Sequence, residues 1–246
     1  MVNKKFRSKE GDQLDHFWVV GTGTDVGKTF ITTLMMRYLQ RKGLKVVPYK
    51  PVQTGAVKKG NKTHYSDTTT YLTYSLQPLS PDDINSYSFP TPASPHFAAE
   101  LEGEWISGAQ ILNKIDHLTK EYDVVICEGA GGLYVPLQPY TSLTLLDIIQ
   151  RSKLPAVLVT RSNLGTINHT LLSLEALKSR GIELLGIIVN QYEHSPIEKS
   201  NVQTLQRFIP SIPFVIVEGN RTIESFDDET IFERLMKREL LRTSGS

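Results

Sequence analysis

Residues 19–29 read VVGTGTDVGKT, and the function of the chain is best approached from them. A short apolar run at 17–20 comes first and predicts a buried strand that ends at Gly21. An amphipathic run follows, with apolar residues at 31, 34, 35, 38 and 39. A strand, a glycine-rich turn and a helix in this order are the context of a phosphate-binding loop, or P-loop. One detail differs, because the usual glycine five residues before Gly27 is Thr22 here.

The residue types of this loop suit phosphate chemistry. Glycines let backbone N–H groups turn inward around a phosphate, and a helix N-terminus adds the positive end of its dipole. Lys28 is then placed to reach the β- and γ-phosphates, and the Thr29 hydroxyl is placed to ligate Mg²⁺. A plain glycine turn with a capped helix would leave Lys28 without a role. We therefore predict that the chain binds a nucleotide.

Length and composition narrow the class of protein. A chain of 246 residues with 39% hydrophobic content can bury one sizeable core, and α/β folds of this length often form a single domain. A net charge of +1 gives no field that would attract nucleic acid or an acidic membrane, so we expect neither partner. The single cysteine, Cys127, suits a reducing compartment and predicts a cytoplasmic protein. Its apolar neighbours predict a packing role.

Apolar strands alternate with helical patterns along most of the chain, which is typical of an α/β fold. A mostly parallel sheet with helices on both faces is expected from such alternation. Further strands are predicted at 45–49, 84–89, 123–127, 156–160, 184–190 and 214–217, and further helices at 68–74, 107–120, 143–151, 166–180, 197–208 and 228–241. Residues 78–95 are predicted to be otherwise irregular. We predict one P-loop-type domain over residues 16–242, flanked by flexible tails at 1–15 and 243–246.

Polar residues follow several of the predicted strands, at the edge where parallel sheets bind ligands. Lys50, between two prolines, is predicted to end the second strand and to begin a polar functional loop over 50–66. Glu128 stands where a P-loop protein needs a carboxylate near Mg²⁺, although aspartate is commoner there. The residues alone leave alternatives open: Lys50 could be a surface lysine, Glu128 an ordinary loop acid and Asp67 a helix cap. Asn190 could read a base or simply end a strand.

Seven segments, in this order, resemble the dethiobiotin synthetase family. They are GTGTDVGKT at 21–29, YKPVQTG at 49–55, YSD at 65–67, PASPHFAA at 92–99, CEGAGGLYVPL at 127–137, LGTINHTL at 164–171 and IIVN at 187–190. The P-loop by itself supports only a broad class of nucleotide-binding proteins. The combination of YKPV, SPH and EGAGG in this order is much more specific.

The resemblance implies an enzyme of biotin synthesis that closes a cyclic urea. Its substrates would be 7,8-diaminononanoate (diaminopelargonate), CO₂ and ATP with Mg²⁺, and it would release ADP and phosphate. In this family a carbamate forms on one amine, is phosphorylated to a carbamic–phosphoric anhydride and is attacked by the second amine. Such chemistry needs charge neutralisation and positioning more than an acid–base pair.

The resemblance also implies roles for individual residues. Lys28 and Lys50 would stabilise the carbamate and the transferring phosphoryl group, and Thr29, Asp67 and Glu128 would hold Mg²⁺. The residues implied to bind the nucleotide are Thr24, Asp25, Val26, Gly27, Lys28, Thr29, Asp67, Glu128, Gly129, Ala130, Gly131, Asn190, Gln191 and Glu218, with Asn190 reading adenine. The residues implied to bind the substrate are Thr24, Thr54, Pro95, Gly165, Thr166, Ile167 and Asn168.

The last four of these residues would reach the substrate's tail carboxylate from the neighbouring subunit of a homodimer. Thr166 or Asn168 could instead simply cap the helix that follows. Position 54 usually carries serine in the family, and threonine keeps the hydroxyl while adding a methyl group. The segment at 217–221 departs from the family's nucleotide-binding pattern, so we expect only modest discrimination in favour of ATP.

Two other P-loop proteins are alternatives. A cobyrinate amidase-type synthetase usually carries a glutaminase domain with a catalytic cysteine, whereas Cys127 lies inside a predicted strand. A partitioning ATPase, which binds DNA or membrane, normally has an extra early lysine in its P-loop, and positions 21–26 contain none. The predicted helix at 228–241 has a basic face that a membrane could attract, but a docked terminal helix with a solvated face is commoner.

Overall fold

The computed structural model describes residues 16–59, 62–226 and 229–236. Its strands are β1 (Phe17–Gly21), β2 (Val46–Thr54), β3 (Ala56–Lys59), β4 (Lys62–Tyr65), β5 (Asn85–Phe89), β6 (Val124–Glu128), β7 (Ala156–Thr160), β8 (Leu184–Tyr192) and β9 (Phe214–Glu218). Its helices are α1 (Lys28–Arg41), α2 (Ser66–Tyr74), α3 (Pro81–Ile84), α4 (Pro95–Leu101), α5 (Gly108–Glu121), α6 (Leu145–Ser152), α7 (Thr166–Ser179), α8 (Pro196–Phe208) and α9 (Glu233–Met236), the last preceded by a 3₁₀ turn at Glu229–Phe232.

Seven strands form one parallel sheet in the order β5-β2-β6-β1-β7-β8-β9. The central strand β1 is buried throughout and pairs with β6 on one side and β7 on the other. Two apolar clusters cover the two faces of the sheet, one built with α5 and α6 and the other with α1. The predicted α/β fold is therefore confirmed, and Cys127 packs fully buried within β6.

β2 is longer than predicted, and this changes the position of Lys50. Residues 46–49 pair with β6, while Lys50 and the residues after it pair with β5, so the strand changes partner at Lys50. The flanking prolines, which lack an N–H donor, predicted a strand end here, but β2 continues to Thr54. The expected loop at 50–66 is also wrong, because β3 and β4 form an antiparallel hairpin within it.

Most other boundaries agree within two residues of the prediction, and three details of the prediction are wrong. The stretch at 78–95 contains α3 and the start of α4, so it is not irregular throughout. β8 continues past Asn190 to Tyr192, so Asn190 does not end its strand. The predicted last helix begins instead with the 3₁₀ turn and α9, and residues 237–241 lie outside the described residues, as do the predicted tails at 1–15 and 243–246.

The described part of the C-terminal segment is docked on the sheet. Phe232 and Leu235 are buried in the cluster formed with α1. A Cβ on Gly186 in β8 would lie 2.3 Å from Leu235 Cδ2, so glycine is required for this close packing. Within the described ranges, no helix combines the length and the apolar content needed to cross a membrane.

Candidate active site

The turn at 22–27 joins the end of β1 to the start of α1, as the P-loop prediction requires. Gly27 directly precedes the helix with a φ of 91°, and Asp25 adopts a φ of 58° although it carries a side chain. Left-handed residues in such a turn direct successive N–H groups into an anion-binding concavity. Thr24 and Asp25 are exposed on the turn, whereas Val26 is buried beneath it.

Asn190 packs against the back of this turn. Its Nδ2 donates to the carbonyl oxygen of Val26 at 3.0 Å, and a Cβ on Gly27 would lie 2.0 Å from the same nitrogen. Asn190 is only 1% exposed, and none of the described residues donates a hydrogen bond to its Oδ1. Because buried polar atoms normally have a partner, this oxygen is available to a ligand N–H group.

Lys28 lies beneath the turn at the start of α1. It is only 6% exposed, and its Nζ donates to the carbonyl oxygen of Gly23 at 2.7 Å. Burial lowers the pKa of Lys28 to about 8, because the attraction of Glu128 only partly opposes the loss of solvent. A phosphate beside this amine would supply the counter-charge that favours its protonated form.

Lys50 lies between two carboxylates in the middle of β2. Its Nζ donates to Glu128 Oε1 at 2.8 Å and also to Asp67. Lys50 is 7% exposed and Glu128 is fully buried. Burial alone would lower the pKa of Lys50, but Glu128 and Asp67 outweigh it and raise the pKa above its usual value. These two carboxylates therefore favour the protonated form of Lys50, and Lys50 in turn lowers the pKa of Asp67 against the effect of burial.

The three predicted Mg²⁺ ligands converge beside Lys50. Thr29 Oγ1 lies 2.8 Å from Glu128 Oε1 and 3.0 Å from Asp67 Oδ1. These are hard oxygen donors, and Mg²⁺ typically binds one or two protein carboxylates while water and substrate phosphates complete its shell. No group of three or more His, Cys, Asp or Glu side chains among the described residues could hold a metal. The donor set thus fits Mg²⁺ in the presence of a nucleotide.

Three alternative interpretations of these residues are wrong. Lys50 is not a surface lysine, because it is buried and doubly paired. Glu128 is not an ordinary loop acid, because it ends β6 within the core. Asp67 does not cap α2: the N-cap residue is Tyr65, no side chain caps this helix, and the Asp67 carboxylate contacts Thr29 and Lys50 instead.

Tyr71 belongs to the same cluster, and sequence reasoning missed it. Its hydroxyl donates to Glu128 Oε2, and the side chain is fully buried. Burial, reinforced by the charge of Glu128, raises the pKa of Tyr71 well above its usual value, so the hydroxyl remains a donor. Tyr71 lies four residues after Asp67 on α2 and therefore on the same helix face. This four-residue spacing from Asp67 was the sequence signal that could have identified Tyr71.

The glycine-rich segment after Glu128 lies against the P-loop. Gly129 donates its N–H to the carbonyl oxygen of Val19 at 3.0 Å. A Cβ on Gly131 would come within 3.6 Å of Thr24 Oγ1, and Ala130 is partly exposed between the two glycines. The ends of β1 and β6 thus bring the predicted nucleotide-binding residues to one edge of the sheet.

The remaining predicted nucleotide residues, Gln191 and Glu218, lie at the ends of β8 and β9. Gln191 is exposed with a φ of 59°. Glu218 Oε1 lies 3.2 Å from His194 Nε2, and its Oε2 lies 3.7 Å from Arg221 Nε. This small ion-pair cluster is separate from the carboxylates that hold Lys50.

The predicted substrate residues lie on three elements. Thr54 ends β2 and is half-buried, and the N–H of the next residue, Gly55, donates to the carbonyl oxygen of Phe89 at 3.0 Å. Pro95 is buried in the first turn of α4, a helix that packs on β2. Residues 165–168 open α7, on the other side of the P-loop.

Gly165 is the N-cap residue of α7, with a φ of 94° and no side-chain cap. The interpretation of Thr166 or Asn168 as a cap is therefore wrong. Thr166 Oγ1 instead donates to the carbonyl oxygen of Arg161 and lies 3.0 Å from Thr160 Oγ1. The first N–H groups of a helix lack intrahelical acceptors, so this turn can still offer donors to an anion.

Known proteins are similar in sequence to most of this chain. A family model described as an AAA domain matches residues 15–225. The chain is 52% identical over 231 residues to the ATP-dependent dethiobiotin synthetase BioD of Lysinibacillus sphaericus, covering 92% of this chain and 98% of that protein. It is 40% identical over 207 residues to the BioD of Halalkalibacterium halodurans, covering 81% of this chain and 83% of that protein. The chain belongs to the ATP-dependent dethiobiotin synthetase family.

Solved structures outside this family share the fold. The cell division ATPase MinD of Pyrococcus furiosus has a TM-score of 0.55 at 14% identity, covering 90% of this chain and 96% of that one. MinD of Pyrococcus horikoshii, complexed with Mg-ADP, has a TM-score of 0.52 at 18% identity, covering 84% and 82%. At these identities the likeness shows the P-loop fold alone. The sequence places the chain with the dethiobiotin synthetases and does not favour the partitioning or amidase alternatives.

Gly27 provides a test of the P-loop geometry. We expect Gly27→Ala to weaken ADP binding at least about tenfold, near 1.4 kcal/mol, because the added Cβ would displace Asn190 and strain the left-handed backbone. The measurement is isothermal titration calorimetry. Gly23→Ala is the matched control, because a Cβ there meets nothing within 4 Å, and its affinity should change by less than about twofold. Equal losses in both variants would contradict this geometry.

Proposed function

We propose that this chain forms dethiobiotin in biotin biosynthesis, using 7,8-diaminononanoate, CO₂ and ATP and releasing ADP and phosphate. The observation that carries the proposal is the connection of the P-loop to Lys50 through Thr29, Asp67 and Glu128, in a chain 52% identical to a synthetase of this activity. Lys50 is a second buried cation beside the phosphate-binding turn. Simple nucleotide hydrolysis has no need of it.

The chemistry explains the need for two lysines. A carbamate on one amine of the substrate must approach the γ-phosphate of ATP, and these two anions repel each other. Lys28, at the P-loop, would neutralise the phosphoryl group, and Lys50 would neutralise the carbamate. Preorganised charges of this kind stabilise a transition state without reorganisation during the reaction. A carbamate oxygen would take the γ-phosphoryl group as the bond to ADP breaks. The second amine would then attack the carbonyl carbon of this mixed anhydride, lose a proton and displace phosphate.

Mg²⁺ would be held by Thr29, Asp67 and Glu128, and it would neutralise charge on the β- and γ-phosphate oxygens. Tyr71 supports this role, since its hydroxyl fixes the orientation of the Glu128 carboxylate. Asn190 Oδ1, a buried acceptor without a donor, would accept a hydrogen bond from the amino group of adenine. Gln191 and Glu218 would border the base.

The substrate would lie between Thr54 and Pro95 on one side and the turn at 165–168 on the other. We propose that this turn comes from the partner subunit of a homodimer and binds the tail carboxylate through helix N–H groups and the helix dipole. A reducing cytoplasm suits the single buried cysteine.

Phosphate release measures the proposed reaction directly. We expect release from ATP and bicarbonate to rise strongly when diaminononanoate is added, because the amine supplies the nucleophile. Release should vanish with EDTA and return with Mg²⁺ or Mn²⁺. Equal release with and without the diamine would reject the reaction. Full activity in metal-free buffer would reject only the Mg²⁺ assignment.

Lys50 should act mainly in the chemical step. We expect Lys50→Ala to lower kcat by about a hundredfold or more, the scale of losing one preorganised charge stabiliser. Steady-state kinetics at saturating substrates, with a thermal melt to check folding, measure this. Lys114→Ala is the matched control, because Lys114 also pairs with an aspartate, Asp83 at 2.7 Å, but on α5. Wild-type turnover in Lys50→Ala would remove Lys50 from the catalytic residues.

Subunit mixing tests the shared site. Lys28→Ala and Asn168→Trp should each be inactive alone, and Asn168 is chosen because the φ of 94° at Gly165 disfavours any side chain there. If the turn serves the partner's site, each mixed dimer regains one intact site, or about a quarter of wild-type activity in an equal mixture. Size-exclusion chromatography checks that both variants remain dimers. An inactive mixture of exchanged dimers would show that each protomer builds its own site.

A further inference from the structure

Two consecutive carbonyl groups of the P-loop are held by side chains from neighbouring strands. Arg161, directly after β7, donates to the carbonyl oxygen of Asp25 from Nε at 3.0 Å and from Nη2 at 2.7 Å. Asn190, in β8, donates to the carbonyl oxygen of Val26 at 3.0 Å. The sequence places Arg161 directly after a predicted strand, at the edge where parallel sheets bind ligands, but it implied no role for this residue.

These bonds set the direction of the phosphate-binding N–H groups. In a planar trans peptide the C=O and the following N–H point in opposite directions. Because the Asp25 carbonyl points toward Arg161, the N–H of Val26 points away from Arg161. In the same way, the bond from Asn190 to the Val26 carbonyl directs the N–H of Gly27 away from Asn190. The left-handed backbone of Asp25, with a φ of 58°, is uncommon for a residue with a side chain and persists only where its surroundings hold it.

We propose that Arg161 is a positioning residue for the nucleotide: its guanidinium fork holds the Asp25 carbonyl so that the P-loop N–H groups face the phosphates. This inference deepens the ATP site of the proposed function. It rests on nucleotide binding alone, and neither on the identity of the second substrate nor on the dimer.

The backbone that carries Arg161 is itself fixed, as an anchoring residue requires. Thr166 Oγ1 donates to the carbonyl oxygen of Arg161. The next residue, Ser162, is buried and donates to the buried carboxylate of Glu198 in α8. Asn201 Nδ2 donates to the carbonyl oxygen of Ser162 at 2.9 Å. The P-loop is thus tied through Arg161 to α7 and α8, two elements distant from it in sequence.

A simple electrostatic role is the competing explanation, because any cation near the phosphates attracts them. The two roles differ in their dependence on salt and on side-chain shape. An exposed charge acting at a distance is screened at high ionic strength, whereas a direct bond to a carbonyl is screened much less. A lysine keeps the charge but cannot reproduce the two-donor fork of arginine.

The test compares Arg161→Gln and Arg161→Lys with the wild type and with Arg207→Gln. Arg207 is the matched control, because its Nε also donates to a backbone carbonyl, that of Gln203 at 3.3 Å, but at the far end of α8. ADP affinity is measured by calorimetry at low and high salt. Hydrogen exchange of the amides at 22–28 is measured at saturating ADP, where affinity differences no longer matter.

We expect Arg161→Gln to weaken ADP binding about tenfold at both salt concentrations, the scale of losing a charge-assisted hydrogen bond. Its P-loop amides should exchange faster than those of the wild type even when ADP saturates the site. Arg161→Lys should recover only part of the affinity, and Arg207→Gln should match the wild type. The proposal is overturned if Arg161→Lys recovers the full wild-type affinity for ADP, or if the affinity loss of Arg161→Gln disappears at high salt. It is also overturned if the P-loop amides of Arg161→Gln exchange at the wild-type rate when ADP saturates the site.

Discussion

The buried ammonium group of Lys50 is the constraint on which the rest of the active site depends. A charge this deep in a protein is tolerated only when it is paired and hydrogen-bonded. Its partners come from two separate elements, Asp67 from α2 and Glu128 from β6. Both carboxylates also reach Thr29 at the start of α1. One charge on β2 thereby fixes the relative positions of three other elements around the phosphate-binding turn.

Burial and neighbouring charges shift the pKa values of the two lysines of the site in opposite directions. Lys50 has two carboxylates at its Nζ, whereas the Nζ of Lys28 donates to a neutral carbonyl group. Burial therefore prevails at Lys28 and lowers its pKa to about 8, while the carboxylates prevail at Lys50 and raise its pKa. An incoming phosphate supplies to Lys28 the counter-charge that Lys50 already has. This difference agrees with the proposed roles, in which Lys28 meets the nucleotide and Lys50 acts in the chemical step.

The parts of the structure that could be predicted are those encoded in contiguous residues. The P-loop at 21–29 and the alternation of strands and helices are local patterns, and both appear in the structure. The place of Lys50 was mispredicted because strand β2 changes partner there, which only the assembled sheet reveals. Tyr71 and Arg161 were missed because their bonds join residues 57 and 136 positions apart, a separation that no sequence motif spans. The alternative of Asp67 as a helix cap was wrong for the same reason, because its carboxylate binds Thr29 and Lys50, which are distant in sequence.

The double role proposed for Asn190 would limit how the nucleotide preference of this enzyme can be engineered. One end of its amide holds the Val26 carbonyl, and the oxygen at the other end has no hydrogen-bond donor among the described residues. A substitution meant to admit a different base would therefore also release the backbone that shapes the phosphate cradle. In the proposed site, base recognition and phosphate binding are linked through this one side chain. Among the described residues, Gln191 and Glu218 make no such bond to the P-loop, so in the proposed site they are the positions where base preference could be redesigned independently of phosphate binding.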